Sequence, residues 1–285
     1  MSIEIKIDPQ QLRRTLEVIV GERSPFSSLR HLTAVESFIE NELGSYGLKV
    51  ESDYFSYRGK TFRNLIGRQG DDQRGGSMIV LGAHFDSVQG TPGADDNASG
   101  VALLLEAARL LARARLRSQV LFCAFNLEEL NMIGSSYFVK KLKSAGAKIA
   151  AMISLEMVGY ANPRPGSQRY PLGLKAFYPD RGDFIGVIAN WNSALLLRRF
   201  ARQMRQVRGL PVETLSVPGN GGLIPAVRLS DHAPFWDAGY PALMVTDTSF
   251  FRNPHYHSST DTLETLNLDF MGKVCEGVVR AVLAL

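Results

Sequence analysis

Acidic and imidazole side chains are grouped at a few points along this 285-residue sequence. The groups are His84-Phe85-Asp86, Asp95-Asp96-Asn97, Glu128-Glu129, Glu156 and His255-Tyr256-His257. If folding brings them together, the carboxylates repel one another and raise each other's pKa values unless a cation neutralises them. Mixed carboxylate and imidazole ligands suit zinc, with manganese, cobalt or iron as substitutes. The residue types therefore predict a metal site, provided that the surrounding elements converge.

Apolar runs stand directly before three of these groups. Residues 78–84, 119–126 and 150–157 read as buried strands, and helical patterns at 97–114 and 130–144 alternate with them. This alternation is typical of a mainly parallel sheet covered on both faces. Because ligands bind outside the carboxyl ends of strands in such sheets, we predict an α/β fold with the acidic groups along one edge.

The rest of the chain extends this fold at both ends. Strand-like runs at 50–57 and 61–67 flank Gly59 and predict a hairpin, and the polar run 70–76 predicts a loop. Further elements are helices at 9–20, 28–46, 190–207 and 265–284, a loop at 216–223 and a strand at 241–247. No linker or internal repeat divides the chain, so we expect one domain over 1–285.

The segment 159–186 is rich in Pro, Gly and Tyr and has no clear period. It is too long for an ordinary connection, which predicts a functional loop or lid. Its aromatic residues could form the wall of a side-chain pocket; they are Tyr160, Tyr170, Phe177 and Tyr178. The alternative is a surface loop without a binding role.

Each polar group also has a plainer interpretation when taken alone. Asp95-Asp96-Asn97 could cap the following helix, Glu128-Glu129 could complement a helix dipole, and His84 could be a structural histidine. A plainer interpretation suits Glu156 less well, because burying an unpaired carboxylate inside an apolar strand costs free energy. We interpret Asp231-His232, in LSDHAPFW, as a helix N-terminus in preference to a site wall. A metal site is favoured because several of these polar groups occur together at corresponding strand ends.

Composition and short patterns argue against several other classes. The formal net charge is +4, and arginine runs at 109–117 and 198–208 lack interleaved aromatic residues, so solvated helix faces and no nucleic-acid partner are expected. Cys123 and Cys275 lie in apolar runs and predict buried thiols. No signal peptide or membrane span is visible, and a cytoplasmic location without membrane contact is expected. The sequence contains no G-x-S-x-G, H-E-x-x-H or P-loop motif, which argues against a serine hydrolase, a single-zinc protease and a nucleotide-binding protein.

The motifs GAHFDS, PGADDNASG, LEEL, SLEMVGY and YHSSTDT follow one another in this order. In order, spacing and strand placement they resemble the di-zinc aminopeptidase family, over roughly residues 60–285. That family includes secreted bacterial leucine aminopeptidases, glutamate carboxypeptidase, glutaminyl cyclase and the transferrin-receptor ectodomain. The resemblance implies a three-layer α/β/α sandwich around a mixed, mainly parallel sheet. It also implies two divalent ions, zinc with manganese or cobalt as substitutes, and cleavage of the first peptide bond of substrates with a free N-terminus.

The resemblance further implies a role for each matching residue. The metal ligands would be His84 and Glu156 on one ion, Glu129 and His257 on the other, and Asp96 bridging both. Glu128 would be the general base, Tyr256 would hydrogen-bond the developing oxyanion, and Asp86 would orient the imidazole of His84. The Asp96–Asn97 peptide bond would be cis, as in relatives.

Other functions of the same fold stay open. Glu156 departs from the family pattern, where aspartate is usual, and glutamate there accompanies carboxypeptidase activity in a related exopeptidase family. A carboxypeptidase needs a cation for the terminal carboxylate, which Arg228 or Arg252 could supply. Glutaminyl cyclase typically works with one zinc, whereas the intact set of five ligands favours two ions. A non-catalytic interaction module is disfavoured because no ligand is missing.

Overall fold

Eight strands form one sheet in the computed structural model, which describes residues 5–69, 76–114 and 116–285. They are β1 (Lys49–Tyr57), β2 (Lys60–Arg68), β3 (Met78–His84), β4 (Gln119–Phe125), β5 (Ile149–Glu156), β6 (Ile185–Asn190), β7 (Val212–Val217) and β8 (Ala242–Thr246). Their order across the sheet is β1-β2-β4-β3-β5-β8-β6-β7. Strands β4, β3, β5 and β8 run parallel, whereas β1, β2 and β6 contribute antiparallel pairs, so the sheet is mixed as predicted.

Helices cover both faces of the sheet. They are α1 (Pro9–Ile19), α2 (Leu29–Ser45), α3 (Gly100–Leu111), α4 (Ile133–Ser144), α5 (Ala194–Met204), α6 (His232–Asp237) and α7 (Leu268–Leu283). One core cluster joins the sheet to α1, α2, α3, α5 and α7, and a second joins its other face to α4 and α6. The three-layer arrangement predicted from the family resemblance is therefore confirmed.

The central strands are apolar along their whole length because both of their faces are covered. In β3, Leu81 and Ala83 pack into the first cluster, whereas Val80 packs into the second. The parallel register pairs His84 with Phe125 and Glu156 with Thr246, so that polar residues following these strands emerge at the same edge. This edge is where the sequence predicts the site.

Most predicted elements occur within a few residues of their expected bounds. The hairpin turns at Gly59, whose φ of 75° is in the left-handed region, and pairs Tyr57 with Lys60. Helix α4 begins at 133 and not at 130, since Asn131 and Met132 also have positive φ. The sequence patterns predict neither β6 nor β7: the predicted long loop takes in only the first two residues of β6, and the predicted loop at 216–223 takes in only the last two of β7.

Other features concern parts of the chain away from the sheet edge. Cys123 and Cys275 are free and buried, as predicted. The predicted loop at 70–76, except Gly76, lies outside the described residues, as does Arg115 of the first arginine run. Within the described ranges, none of the helices has the length and apolar character needed to cross a membrane.

Candidate active site

Five side chains predicted as metal ligands meet at the carboxyl edge of the sheet. His84 and Glu156 are the last residues of β3 and β5. Glu129 follows β4, and His257 lies in the loop after β8. Asp96 lies at a non-helical kink shortly before α3, with φ −105° and ψ 89°. Elements far apart in sequence therefore bring the predicted ligands together.

The first group centres on the imidazole of His84. Its Nε2 lies 3.3 Å from Asp96 Oδ1 and 3.5 Å from Glu156 Oε2. Glu128 approaches the same nitrogen, with its Oε2 at 3.8 Å. Ser230 donates a hydrogen bond of 2.8 Å to Glu156 Oε2, which holds the longer glutamate side chain in place.

The second group centres on the imidazole of His257. Its Nε2 lies 3.1 Å from Asp96 Oδ2 and 3.4 Å from Glu129 Oε2. Asp96 thus presents one carboxylate oxygen to each imidazole and belongs to both groups. The Asp96–Asn97 peptide bond is cis, as the resemblance implies.

The donor atoms of the two groups fit divalent metal ions. In each group the ligand atoms lie within 4.8 Å of one another. His84 Nε2 and Glu129 Oε1 are buried without a hydrogen-bond partner, which is costly for polar atoms unless something else binds them. Imidazole and carboxylate donors in this combination match zinc.

The acids of the site have strongly shifted pKa values, as crowded carboxylates should. Burial raises the pKa of Glu128 well above its usual range, and burial together with the charge of Asp96 raises that of Glu129 to about 7. Burial also raises the pKa of Glu156. Burial alone would raise the pKa of Asp96 too, but the imidazoles of His257 and His84 beside its carboxylate hold that pKa below its usual range. The site therefore favours cations between its acids.

The three polar residues of the Asp95-Asp96-Asn97 run make different contacts. Asn97 Oδ1 accepts the N–H of Gly100 at 3.1 Å, so the helix-capping interpretation holds for this residue. Asp95 faces away from the metal groups and accepts the N–H of Gly159 at 2.9 Å. Asp96 alone faces the metal groups.

Two residues outside the predicted site bond to the backbone at or near this run. Asp261 accepts the backbone N–H of Asp95 at 2.9 Å and of Asp96 at 3.2 Å. It belongs to the YHSSTDT motif, so the motif contained a signal for it. Arg23 is fully buried, and its guanidinium donates to the carbonyls of Phe85 at 2.8 Å and Gly93 at 2.8 Å. Its surrounding sequence has no periodic or motif signal.

A cavity of about 330 Å³ opens beside the metal groups. Glu128, Glu129 and Glu156 line one end of it. The segment 159–186 forms part of the wall, with Tyr170 and Tyr178 among the lining residues.

This wall segment is held at both of its ends. Asn162 and Gly182 bond to each other through backbone N–H groups at 2.7 and 3.0 Å. Buried Arg252 donates to the carbonyls of Phe184 at 2.8 Å and Tyr160 at 3.3 Å. Phe177, which was predicted as a wall residue, is exposed instead.

Tyr256 and Asp231 differ in their relation to the cavity, because Asp231 is not among the described residues that line it. Tyr256 lines the cavity, and its ring stacks on His257 with centroids 3.7 Å apart. Burial raises its pKa, which keeps the phenol protonated and able to donate. Helix α6 begins directly after Asp231, as predicted, but the buried Asp231 carboxylate makes no hydrogen bond that caps this helix.

Comparison with known proteins places this geometry in a family. The sequence profile of peptidase family M28 matches residues 64–282. YfbL of Escherichia coli K12 is 35% identical over 284 residues, which is 95% of this chain and 86% of that protein. LapB from Legionella pneumophila has a TM-score of 0.79 at 26% identity, over 98% of this chain and 73% of its own.

A further solved structure is BSAP, a zinc aminopeptidase from Bacillus subtilis, with a TM-score of 0.60 at 26% identity over 80% of this chain. The match covers 51% of BSAP, so this chain spans about half the length of that relative. The segment matched by the family profile runs from β2 into α7 and includes each residue of the two metal groups. The chain therefore belongs to peptidase family M28.

Proposed function

We propose that this peptidase is an aminopeptidase that holds two zinc ions and removes the first residue of peptides with a free N-terminus. One observation carries the proposal: Asp96 offers one carboxylate oxygen to the group of His84 and the other to the group of His257. A shared carboxylate between two ligand groups is what a two-metal site requires. The zinc aminopeptidase BSAP supports the choice of metal and of reaction.

The chain's own residues supply the proton transfers. Two zinc ions bound here would lower the pKa of a shared water and polarise the substrate carbonyl. Glu128 lies at the same edge with a raised pKa, which suits it to take a proton from the attacking water and return it to the leaving amine. Tyr256 stays protonated at the cavity wall and donates to the developing oxyanion. The substrate ammonium group is attracted by Glu156 and Glu128.

The carboxypeptidase alternative receives no support from the two arginines considered for it. Arg228 donates to Asp237 at 2.7 Å and to the carbonyl of Asn220 at 2.7 Å. Arg252 is buried behind the wall segment and bonds to Gln168. Neither arginine is among the described residues that line the cavity. The cyclase alternative is disfavoured because both ligand groups are complete.

Glu128→Gln tests the proposal. We expect kcat on leucine p-nitroanilide to fall by about 100-fold or more, because an amide cannot accept the proton. Zinc content, measured by inductively coupled plasma mass spectrometry, should stay at two ions per chain. Glu17→Gln, on the exposed face of α1, is the matched control. Undiminished turnover by Glu128→Gln, or equal cleavage of N-acetylated and free-amine peptides by the unmodified protein, refutes the proposal.

A further inference from the structure

A second glutamate shares a sheet row with the predicted ligand Glu156. Register pairs Glu156 with Thr246, Thr246 with Gly186, and Gly186 with Glu213. Directly paired residues point to the same face of a sheet, so these four lie on one face. Glu213 and Glu156 are three strands apart, or roughly 14 Å between their Cα atoms.

The two residues between these glutamates leave room above the sheet. Thr246 is small, and Gly186 has no side chain; a Cβ at Gly186 would already lie 3.2 Å from the Thr246 carbonyl oxygen. All four residues of the row line the cavity. The metal groups therefore lie at one end of the cavity, and Glu213 lies towards the other end.

The walls between the two ends are mainly apolar. Ile188, Leu215 and Met244, which form the next row of the same face, line the cavity together with Tyr170 and Tyr178. The two tyrosine rings stack on each other with centroids 5.6 Å apart, and the Tyr178 hydroxyl donates to the carbonyl of Thr214. An apolar channel with an acid towards its far end suits a side chain with an alkyl stem and a charged tip.

Glu213 has no partner of its own. Among residues 5–69, 76–114 and 116–285, none donates a hydrogen bond to its carboxylate or lies within salt-bridge distance. Arg205 is near enough for its charge to act on Glu213, but its guanidinium donates to the carbonyl of Val212 at 3.0 Å. Arg169, on the cavity wall, donates to the carbonyl of Phe250. The carboxylate is thus free to bind a ligand.

We propose that Glu213 is a specificity-determining residue that binds the ammonium or guanidinium tip of a lysine or arginine at the substrate N-terminus. The inference rests on the proposed aminopeptidase function. The substrate α-amino group and the scissile bond lie at the metal groups, the alkyl stem crosses the floor of Thr246 and Gly186, and the tip reaches Glu213. The faces of Tyr170 and Tyr178 add favourable contacts for a cation.

The test compares p-nitroanilides of lysine, arginine, leucine and methionine on the zinc-loaded protein. We expect Glu213→Gln to lower the kcat/KM ratio of lysine over leucine by about tenfold or more, since a charged hydrogen bond is lost. Glu213→Lys should lower the ratio further. Calorimetric binding of L-lysine and L-leucine gives a second readout, in which Glu213→Gln should weaken lysine selectively. Glu276→Gln, which lies on the surface of α7, is the control and should leave the ratio unchanged.

Two results overturn the inference, and they differ in what else they overturn. If leucine p-nitroanilide is cleaved but the lysine-to-leucine ratio is the same in Glu213→Gln, the role of Glu213 is wrong and the aminopeptidase function stands. If none of the four substrates is cleaved by the zinc-loaded protein, the proposed function fails and the inference fails with it.

Discussion

The carboxylate of Asp86 accepts the backbone N–H of Glu128 at 3.0 Å, although the two residues follow different strands. Its second oxygen accepts the N–H of Glu129 at 3.2 Å. Asp86 Oδ1 also lies 3.6 Å from His84 Nδ1, the contact implied by the family resemblance. The Asp86 carboxylate therefore holds the proposed base and the predicted ligand Glu129, while the backbone carbonyl of Asp86, 3.3 Å from His84 Nδ1, orients the imidazole of His84.

Asp86→Asn should disturb these groups together. An amide offers one acceptor, and its NH2 faces a backbone N–H, so one of the two anchors is lost. We expect metal affinity or kcat/KM to fall by about 10–100-fold, as for other residues that support metal ligands. Zinc titration and leucine p-nitroanilide kinetics check this. Asp237→Asn, which removes one partner of an exposed ion pair, is the control. If Asp86→Asn binds zinc as tightly and cleaves leucine p-nitroanilide as fast as the unmodified protein, the two hydrogen bonds accepted by Asp86 are dispensable.

His257→Ala should reduce the metal content from two ions to one. The variant loses one imidazole from the second group, while His84, Asp96 and Glu156 keep the first group intact. Metal analysis after dialysis against zinc-free buffer measures the count. His255→Ala is a matched control, because this neighbouring imidazole bonds to Thr260 at 2.8 Å and belongs to neither group. Retention of two ions by His257→Ala argues against the assignment.

Arg23→Met should destabilise the protein strongly. The fully buried guanidinium donates to five carbonyls, including those of Phe85 and Gly93, and methionine leaves them without donors. We expect the free energy of unfolding to fall by about 3 kcal/mol or more. Urea denaturation measures it. Arg13→Met, at an exposed pair with Glu17, should cost at most about 1 kcal/mol; equal effects of the two changes would count against an anchoring role for Arg23.

His232 should make stability depend on pH. Burial lowers its pKa from 6.5 to about 4, while Nε2–H donates to the Val227 carbonyl at 2.8 Å. Because the unfolded chain takes up this proton first, the contribution is fully present above pH 6.5 and is lost as the pH falls towards 4. The loss amounts to roughly 3 kcal/mol.

The measurement for His232 is urea denaturation at pH 7 and pH 4.5. His232→Gln, which can still donate to the carbonyl but does not titrate, should lose less stability between the two pH values than the unmodified protein. Identical pH dependence in the two proteins would mean that His232 does not titrate with the assigned shift.

Patterns within single segments were enough to predict the position of most of the site. His84 and Glu156 each end an apolar run, and Glu129 follows another closely; a polar residue at that point of a parallel strand emerges at the carboxyl edge. The family match confirms the peptidase assignment. The two-ion count and the individual roles remain predictions.

The sequence patterns do not predict strands β6 and β7, because the stability of these strands comes from pairing with segments distant along the chain. β6 pairs antiparallel with β8, about 55 residues away along the chain, and follows a segment rich in turn-forming residues. β7 is an edge strand whose middle residues are partly exposed, so its apolar period is weak. Without these strands the sequence offers no means of placing Glu213 beside the cavity.

The sequence alone determined the strand and helix periods, the polar residues that follow the apolar runs, and the order of the motifs, because these depend on neighbours along the chain. The tertiary structure decided that Asp96 faces both imidazoles, that Asp86 holds Glu128, and that Arg23 is buried against the site. These contacts join residues up to about 160 positions apart, and they depend on strand register and loop closure, which a local period does not specify.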